Sequence, residues 1–229
     1  DYMQYTMGVV GALGLDVVID EPDIFPLAVQ GPKADDLMAR IFGNEIREIR
    51  FFYFGKFVFQ GKEMVVARSG YSKQGGFEIY VNAPEYAMPL WNTLLEQGKD
   101  LNVRVGCPNL IERIEAGLLS YGNDMSRQDT PFESGLGKYV NSPFNFIGKE
   151  NLLKRPFNRT IRPLMIIGEI PPCDRIWPAY AKGNRIGQVT SAAYSPDFSC
   201  NVAIGMIENH FGAEKTRIEV ETQNGIRDA

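Results

Sequence analysis

The apolar pattern of this chain changes period once, and that change limits the fold more than any single residue does. Before Gly135, runs of β-branched and aromatic residues alternate with stretches in which Leu, Ile and Met recur at helical spacing. After Lys154 only short strand-like runs remain, punctuated by Gly and Pro. Alternating helices and strands followed by strands alone predict an α+β chain with two separately built parts. The expected organisation is an α/β region over residues 1–134, a linker over 135–160 and a small all-β domain, of barrel or jelly-roll type, over 161–229.

Within the first region, Asp1 is not a methionine and Tyr2–Leu15 already reads as a helix or packed segment. Asp16–Asp20 and Phe25–Gln30 read as strands. Gly31-Pro32 then opens a helix over Lys33–Phe42, with Leu37, Met38 and Ile41 on one face and Gly43 as its cap. Arg50–Phe59, Glu63–Arg68 and Phe77–Val81 follow as strands. A helix is expected from Pro84 to Gln97, regular only beyond Pro89. Val103–Val105 reads as a strand, and Asn109–Ser120 as a helix burying Leu110, Ile111, Ile114, Leu118 and Leu119. The later strands are Leu164–Gly168, Arg185–Ser191, Asn201–Ile207 and Thr216–Thr222.

Several classes of function are disfavoured. Lys and Arg total 24 against 28 Asp and Glu, a net charge of -4, which argues against non-specific nucleic-acid binding. Cys107, Cys173 and Cys200 stand far apart, in no metal-ligand spacing, and fit a reducing, cytoplasmic compartment. His210 alone cannot build a multi-histidine metal site and reads as a surface residue. There is no dinucleotide fingerprint, no P-loop and no apolar stretch of membrane-spanning length.

One segment carries chemical interest. A glycine-rich loop, Gly70–Gly76, joins two strands, and the second places Glu78 and Tyr80 opposite Phe77, Ile79 and Val81. An ordinary sheet would simply expose Glu78 to solvent, and spacing alone favours that outcome. If the face lines a cavity, the carboxylate can accept two strong hydrogen bonds from adjacent N–H groups of a flat heterocycle. Asn109 stands in the first turn of a helix, where free backbone N–H groups favour anions. Glu112, Arg113 and Glu115 read as surface pairs, and Asn123-Asp124 as a turn.

Taken in order, four blocks resemble the glycine-cleavage T-protein (aminomethyltransferase) family. They are Val29-Gln30-Gly31-Pro32-Lys33, the stretch from Gly70-Tyr71 to Glu78-Ile79, Arg113–Gly117 with Tyr121–Asp124, and Gly187–Pro196. The resemblance implies an aminomethyltransferase-type folate-binding fold with a C-terminal β-barrel or jelly-roll-like domain, and it implies that the family's N-terminal part is lacking here. It also implies tetrahydrofolate, with Glu78 on the pterin ring and Tyr71, Tyr80 and Asn109 as further folate contacts. Asn109 stands where typical members have an arginine, which removes a charged fork and argues against plain aminomethyl transfer. Lys73-Gln74-Gly75-Gly76 replaces the family's acidic loop. The blocks Ala67–Gly76, Gly106–Arg113 and Leu119–Asp124, together with this form of the loop, resemble the branch that demethylates dimethylsulfoniopropionate to methylthiopropionate, forming 5-methyltetrahydrofolate. The implied partner is a small sulfonium substrate, with no nucleic acid or membrane, and a homodimer is among the assemblies open to the chain. Aromatic faces hold a sulfonium by cation–π attraction; Tyr53 and Trp177 are the candidates, although packing is the commoner role of both. Lys73 is a candidate for an acidic tail. No residue is assigned as a catalytic acid or base. The alternatives are an aminomethyltransferase of the glycine cleavage system, a methylated-amine demethylase, and a folate-binding module or inactive fragment without turnover.

Overall fold

The computed structural model describes residues 2–141 and 143–229; Asp1, from which the first region was read, lies outside them. The chain forms two compact units. One contains the segments up to Gly70 and Gln74–Val105, the other Tyr71–Lys73 and Gly106–Ala229.

The first unit contains α1 (Tyr2–Ala12), β1 (Phe25–Gln30), α2 (Ala34–Phe42), β2 (Phe54–Phe59), β3 (Lys62–Ala67), β4 (Gly76–Val81) and α3 (Ala87–Gln97). Its strands form one antiparallel sheet in the order β1-β4-β3-β2. Met64, Val66, Phe77, Ile79 and Val81 line one face and pack with Leu37 and Met38 of α2 and Leu90 and Leu94 of α3. Each such large side chain contributes roughly 1.5–3 kcal/mol on burial, so this face is committed to the core and the opposite face is left for other work.

Four expectations change here. Asp16–Asp20 forms no strand, and Val17 and Val18 are exposed, because no neighbouring strand offers them a ladder. β2 starts at Phe54, since Phe52 has a φ of 63° and breaks the extended backbone. α3 includes Pro89 in its first turn, where no N–H is needed. α1 is helical but buries none of its residues.

The second unit contains α4 (Leu110–Glu115), α5 (Gly137–Val140), α6 (Lys149–Lys154), β5 (Arg159–Ile166), β6 (Trp177–Ala181), β7 (Asn184–Ser195), β8 (Cys200–Glu208), β9 (Glu219–Thr222) and β10 (Gly225–Asp228). The strands form an antiparallel sheet in the order β10-β9-β6-β7-β8-β5. No ladder pairs β10 with β5 among the described residues; a single backbone bond, from the Ile167 N–H to the Asp228 carbonyl at 2.8 Å, links their ends. β6 and β10 have no counterpart in the sequence reading. α4 is half its expected length because Gly117, at a φ of 67°, turns the chain left-handed. Of the five residues expected on its buried face only Ile114 is buried, and Leu110 is 51% exposed.

A bulge interrupts the ladder between β7 and β8. The register shifts there so that Val189 faces Gly205 and Ser191 faces Ile204, leaving Thr190 as the extra residue. Thr190 and Ser191 therefore both direct their hydroxyls to one side chain, Asp124, although neighbours on a regular strand would point oppositely.

Candidate folate-binding site

β4 alternates as its sequence predicts. Phe77 and Ile79 are fully buried, and Glu78 and Tyr80 stand half-buried on the other face. The residues beside Glu78 on the neighbouring strands are Ala28 of β1 and Ala67 of β3. Two methyl groups flanking a carboxylate leave a low floor three strands wide, roughly 10 Å across. Glu78 accepts a hydrogen bond from Ser69 Oγ at Oε2; its Oε1 has no hydrogen bond among the described residues. A free carboxylate oxygen above a flat floor suits a planar ring that presents paired N–H donors, which is the chemistry the pterin of tetrahydrofolate would require.

The ladder between β3 and β4 ends at the pair Ala67–Glu78. Beyond it the Gln30 side chain takes over, Nε2 donating to the Ser69 carbonyl at 3.0 Å and to the Phe77 carbonyl at 3.2 Å. Glycine is needed on either side of that amide. A β-carbon on Gly70 would lie 2.1 Å from Gln30 Oε1, and one on Gly76 would lie 2.2 Å from the Val29 carbonyl.

Tyr53, also in this unit, is half exposed, and the Arg50 guanidinium lies 4.2 Å from its ring centroid. One ring face thus already carries a cation.

In the second unit, Tyr71 donates its hydroxyl hydrogen between the Leu118 and Leu119 carbonyls, at 3.3 and 3.1 Å. The Lys73 ammonium binds the carboxylates of both Glu115 and Asp197, and Glu115 also accepts from Ser195 Oγ. The hydrogen bonds to Asp197 and Glu115 hold the Lys73 pKa above its ordinary value. Those from Lys73 and Ser195 hold Glu115 below the usual carboxylate range. With two carboxylates on it, Lys73 is not left to grip an acidic tail, so that expectation is corrected: its role is to tie residues 71–73 to α4 and to the turn after β7. Lys73→Met should raise amide hydrogen exchange in residues 70–74 several-fold; exchange equal to that of the parent would show that the ion pairs do not hold the segment.

Asn109 is the N-cap of α4, its side-chain oxygen accepting the Ile111 N–H at 2.8 Å. Trp177 is 1% exposed within the core of the second sheet and donates its indole N–H to Gln223 Oε1 at 2.6 Å. Its ring faces are occupied by packing, so the sulfonium-binding expectation for Trp177 is corrected to a core role.

The sequence reading missed one constellation. Arg113 and Asp124, read as a surface residue and a turn residue, form a buried ion pair at 2.8 Å. Asp124 also accepts from the Ser120 N–H, Thr190 Oγ1 and Ser191 Oγ, and Arg113 Nη2 donates to Ser191 Oγ at 2.6 Å. The flanking Glu112 and Glu115 disguised Arg113 as one member of a solvated charge run.

Thiol and acid–base properties yield two further predictions. Burial pushes the Cys173 thiol up to about 11, whereas Cys107 is exposed. At pH 8 a maleimide should label Cys107 in minutes and Cys173 at least tenfold more slowly, as read by peptide mass spectrometry; equal rates would refute the assignment. Burial would raise the pKa of Glu133, but the Thr130 N–H at 2.7 Å and Arg159 Nε at 2.9 Å more than offset that and hold it below its ordinary 4.5. A lowered carboxylate pKa contributes stability that is complete above pH 4.5 and is lost as pH falls toward the folded-state value. Glu133→Gln should therefore flatten the acid limb of a circular-dichroism unfolding profile below that pH. An unchanged slope would remove Glu133 from the explanation.

Among the described residues no cluster of three His, Cys, Asp or Glu side chains has metal-ligand geometry, and no helix is long and apolar enough to cross a membrane.

Comparison with known proteins gives two successive family matches, whose boundary lies later in the chain than that of the two compact units. The GCVT N-terminal domain family matches residues 5–142, and the glycine cleavage T-protein C-terminal barrel domain matches residues 159–229. The first match overturns the expectation that the family's N-terminal part is lacking. Dimethylsulfoniopropionate demethylase DmdA of Ruegeria pomeroyi is 59% identical over 99% of this chain and 63% of its own length. An aminomethyltransferase of Caldanaerobacter subterraneus subsp. tengcongensis is 36% identical over 88% of this chain and 55% of its own. The crystal structure of glycine cleavage system aminomethyltransferase T from Bartonella henselae superposes with a TM-score of 0.80 at 27% identity, over 98% of this chain and 63% of that one. The chain thus spans less than two thirds of the length of these relatives, and over that span it belongs to the glycine cleavage T-protein family.

Proposed function

We propose that this chain serves a tetrahydrofolate-dependent methyltransferase that demethylates dimethylsulfoniopropionate to methylthiopropionate, with formation of 5-methyltetrahydrofolate. The observation that carries the folate reading is the half-buried Glu78 carboxylate, standing between Ala28 and Ala67 with one oxygen unpartnered. The substrate reading is supported by the 59% identity to a protein named for that demethylation.

When bound, tetrahydrofolate would supply N5 as the nucleophile that accepts the methyl group, the proton of N5 being released to solvent. Glu78 would hold the ring by accepting hydrogen bonds from it, with Tyr80 of the same unit as a further contact; in the second unit, Tyr71 and Asn109 are separately proposed as folate contacts. The departing thioether is neutral and needs no general acid, so alignment and exclusion of water are the main demands on the protein. The exposed face of Tyr53 is proposed for the sulfonium.

We also propose that the second sheet closes as a barrel, a reading supported by the Ile167–Asp228 bond, that residues 135–160 act as the linker, and that the chain works in the cytoplasm.

The test is tetrahydrofolate-dependent formation of methylthiopropionate from dimethylsulfoniopropionate. Turnover supports the reading. Folate binding without this turnover, but with activity on an aminomethyl donor, moves the assignment to aminomethyl transfer, the activity named for a relative at 36% identity.

A further inference from the structure

We infer that Ser69 is a positioning residue for Glu78, and that Gln30 sets Ser69 in place; this rests on the folate reading of Glu78 above. An unrestrained glutamate on a sheet face samples several rotamers, and a carboxylate that must meet two N–H groups of a rigid ring loses affinity for each alternative it has to abandon. The Ser69 hydroxyl removes that freedom by donating to Oε2, while Oε1 keeps no hydrogen bond among the described residues and stays available on the face that Ala28 and Ala67 leave low.

Ser69 is not on a regular strand. β3 ends at Ala67 and its ladder to β4 ends at Glu78, so backbone pairing does not hold residue 69. The Gln30 amide replaces the missing ladder. By binding the carbonyls of Ser69 and Phe77, it fixes the main chain at the serine and at the residue immediately before the glutamate. Gly70 and Gly76 make room for it, since a β-carbon at either site would meet the Gln30 side chain or the Val29 carbonyl. Gln30, Ser69 and Glu78 thus form a relay within the first unit, in which only Glu78 meets the ligand.

The test is a double-mutant cycle read by anaerobic calorimetry with tetrahydrofolate as the probe. Ser69→Ala should weaken binding about tenfold, the effect of losing one hydrogen bond to a charged group. Ser69→Thr, which keeps the hydroxyl, should restore affinity to within about twofold of the parent. In a Glu78→Gln background the same Ser69→Ala change should have less than about a twofold effect, because its action runs through the carboxylate. Gln30→Ala should weaken binding with the same dependence on Glu78. Equal losses from Ser69→Ala in both backgrounds would overturn the inference and make Ser69 merely structural, as would no loss in either. If Glu78→Gln itself leaves affinity unchanged, or the parent chain binds no tetrahydrofolate, it is the folate reading that fails, and the relay falls with it.

Discussion

Replacing Glu78 with alanine is expected to weaken tetrahydrofolate binding by on the order of a hundredfold. The proposed contact is two charge-assisted hydrogen bonds, each contributing about 1.5–3 kcal/mol when its partner is desolvated, and even the lower end of their sum corresponds to roughly a factor of 100. The fold should be indifferent to the change. Glu78 lies on the face of β4 away from Phe77 and Ile79, and its one protein partner, the Ser69 hydroxyl, can turn to water. Thermal unfolding should stay within about 0.5 kcal/mol of the parent. Equilibrium titration separates the two quantities. An affinity loss below threefold would mean that the carboxylate is the ordinary exposed residue its spacing alone suggests.

Replacing Asp124 with alanine should have the opposite profile, with a large loss of stability whatever ligand is present. The change leaves the buried Arg113 guanidinium without its counter-charge, and Thr190, Ser191 and the Ser120 N–H without their shared acceptor. Breaking one side of a buried pair costs about 3–5 kcal/mol, which corresponds to a fall of roughly 10 °C in the transition of the unit that contains it. Calorimetry would show this directly. A shift under about 2 °C would mean that water reaches the pair and screens it.

Side-chain periodicity made much of this fold legible. Phe25–Gln30 coincides with β1, Gly43 closes α2, and the alternation of β4 places Glu78 and Phe77 on opposite faces as read. The short strands β6 and β10 escaped because four or five residues hold too few alternations to register, and Trp177-Pro178 looks more like a turn than a central strand. The limits of α4 escaped because a glycine inside an apolar run reads as a tolerated weakness, whereas Gly117 takes a positive φ and ends the helix.

The site divides along the same line. Glu78 was visible as a residue type in a pattern, and the resemblance supplied its proposed partner. That its neighbours are two alanines, with a serine and a glutamine behind it, depends on the register of three strands, which no local pattern encodes. Lys73 and Trp177 were visible as chemistry, but their partners Glu115, Asp197 and Gln223 are 42, 124 and 46 residues away. Arg113 was misread for the same reason, since its acceptor and the bulge that turns Ser191 toward it come from separate parts of the chain.

The buried pair has a consequence for how this sequence can drift. Exchanging both charges and their hydroxyl neighbours for well-fitted apolar side chains can be neutral or stabilising, yet any route that changes one residue at a time must first pass through an orphaned charge. Against a total folding free energy of about 5–15 kcal/mol, that intermediate forfeits roughly a fifth or more of what keeps a domain folded. Arg113, Asp124, Thr190 and Ser191 are therefore expected to behave in a deep mutational scan as one linked locus. Each would be intolerant of substitution alone, with viable variants recovered only when several of the four change together.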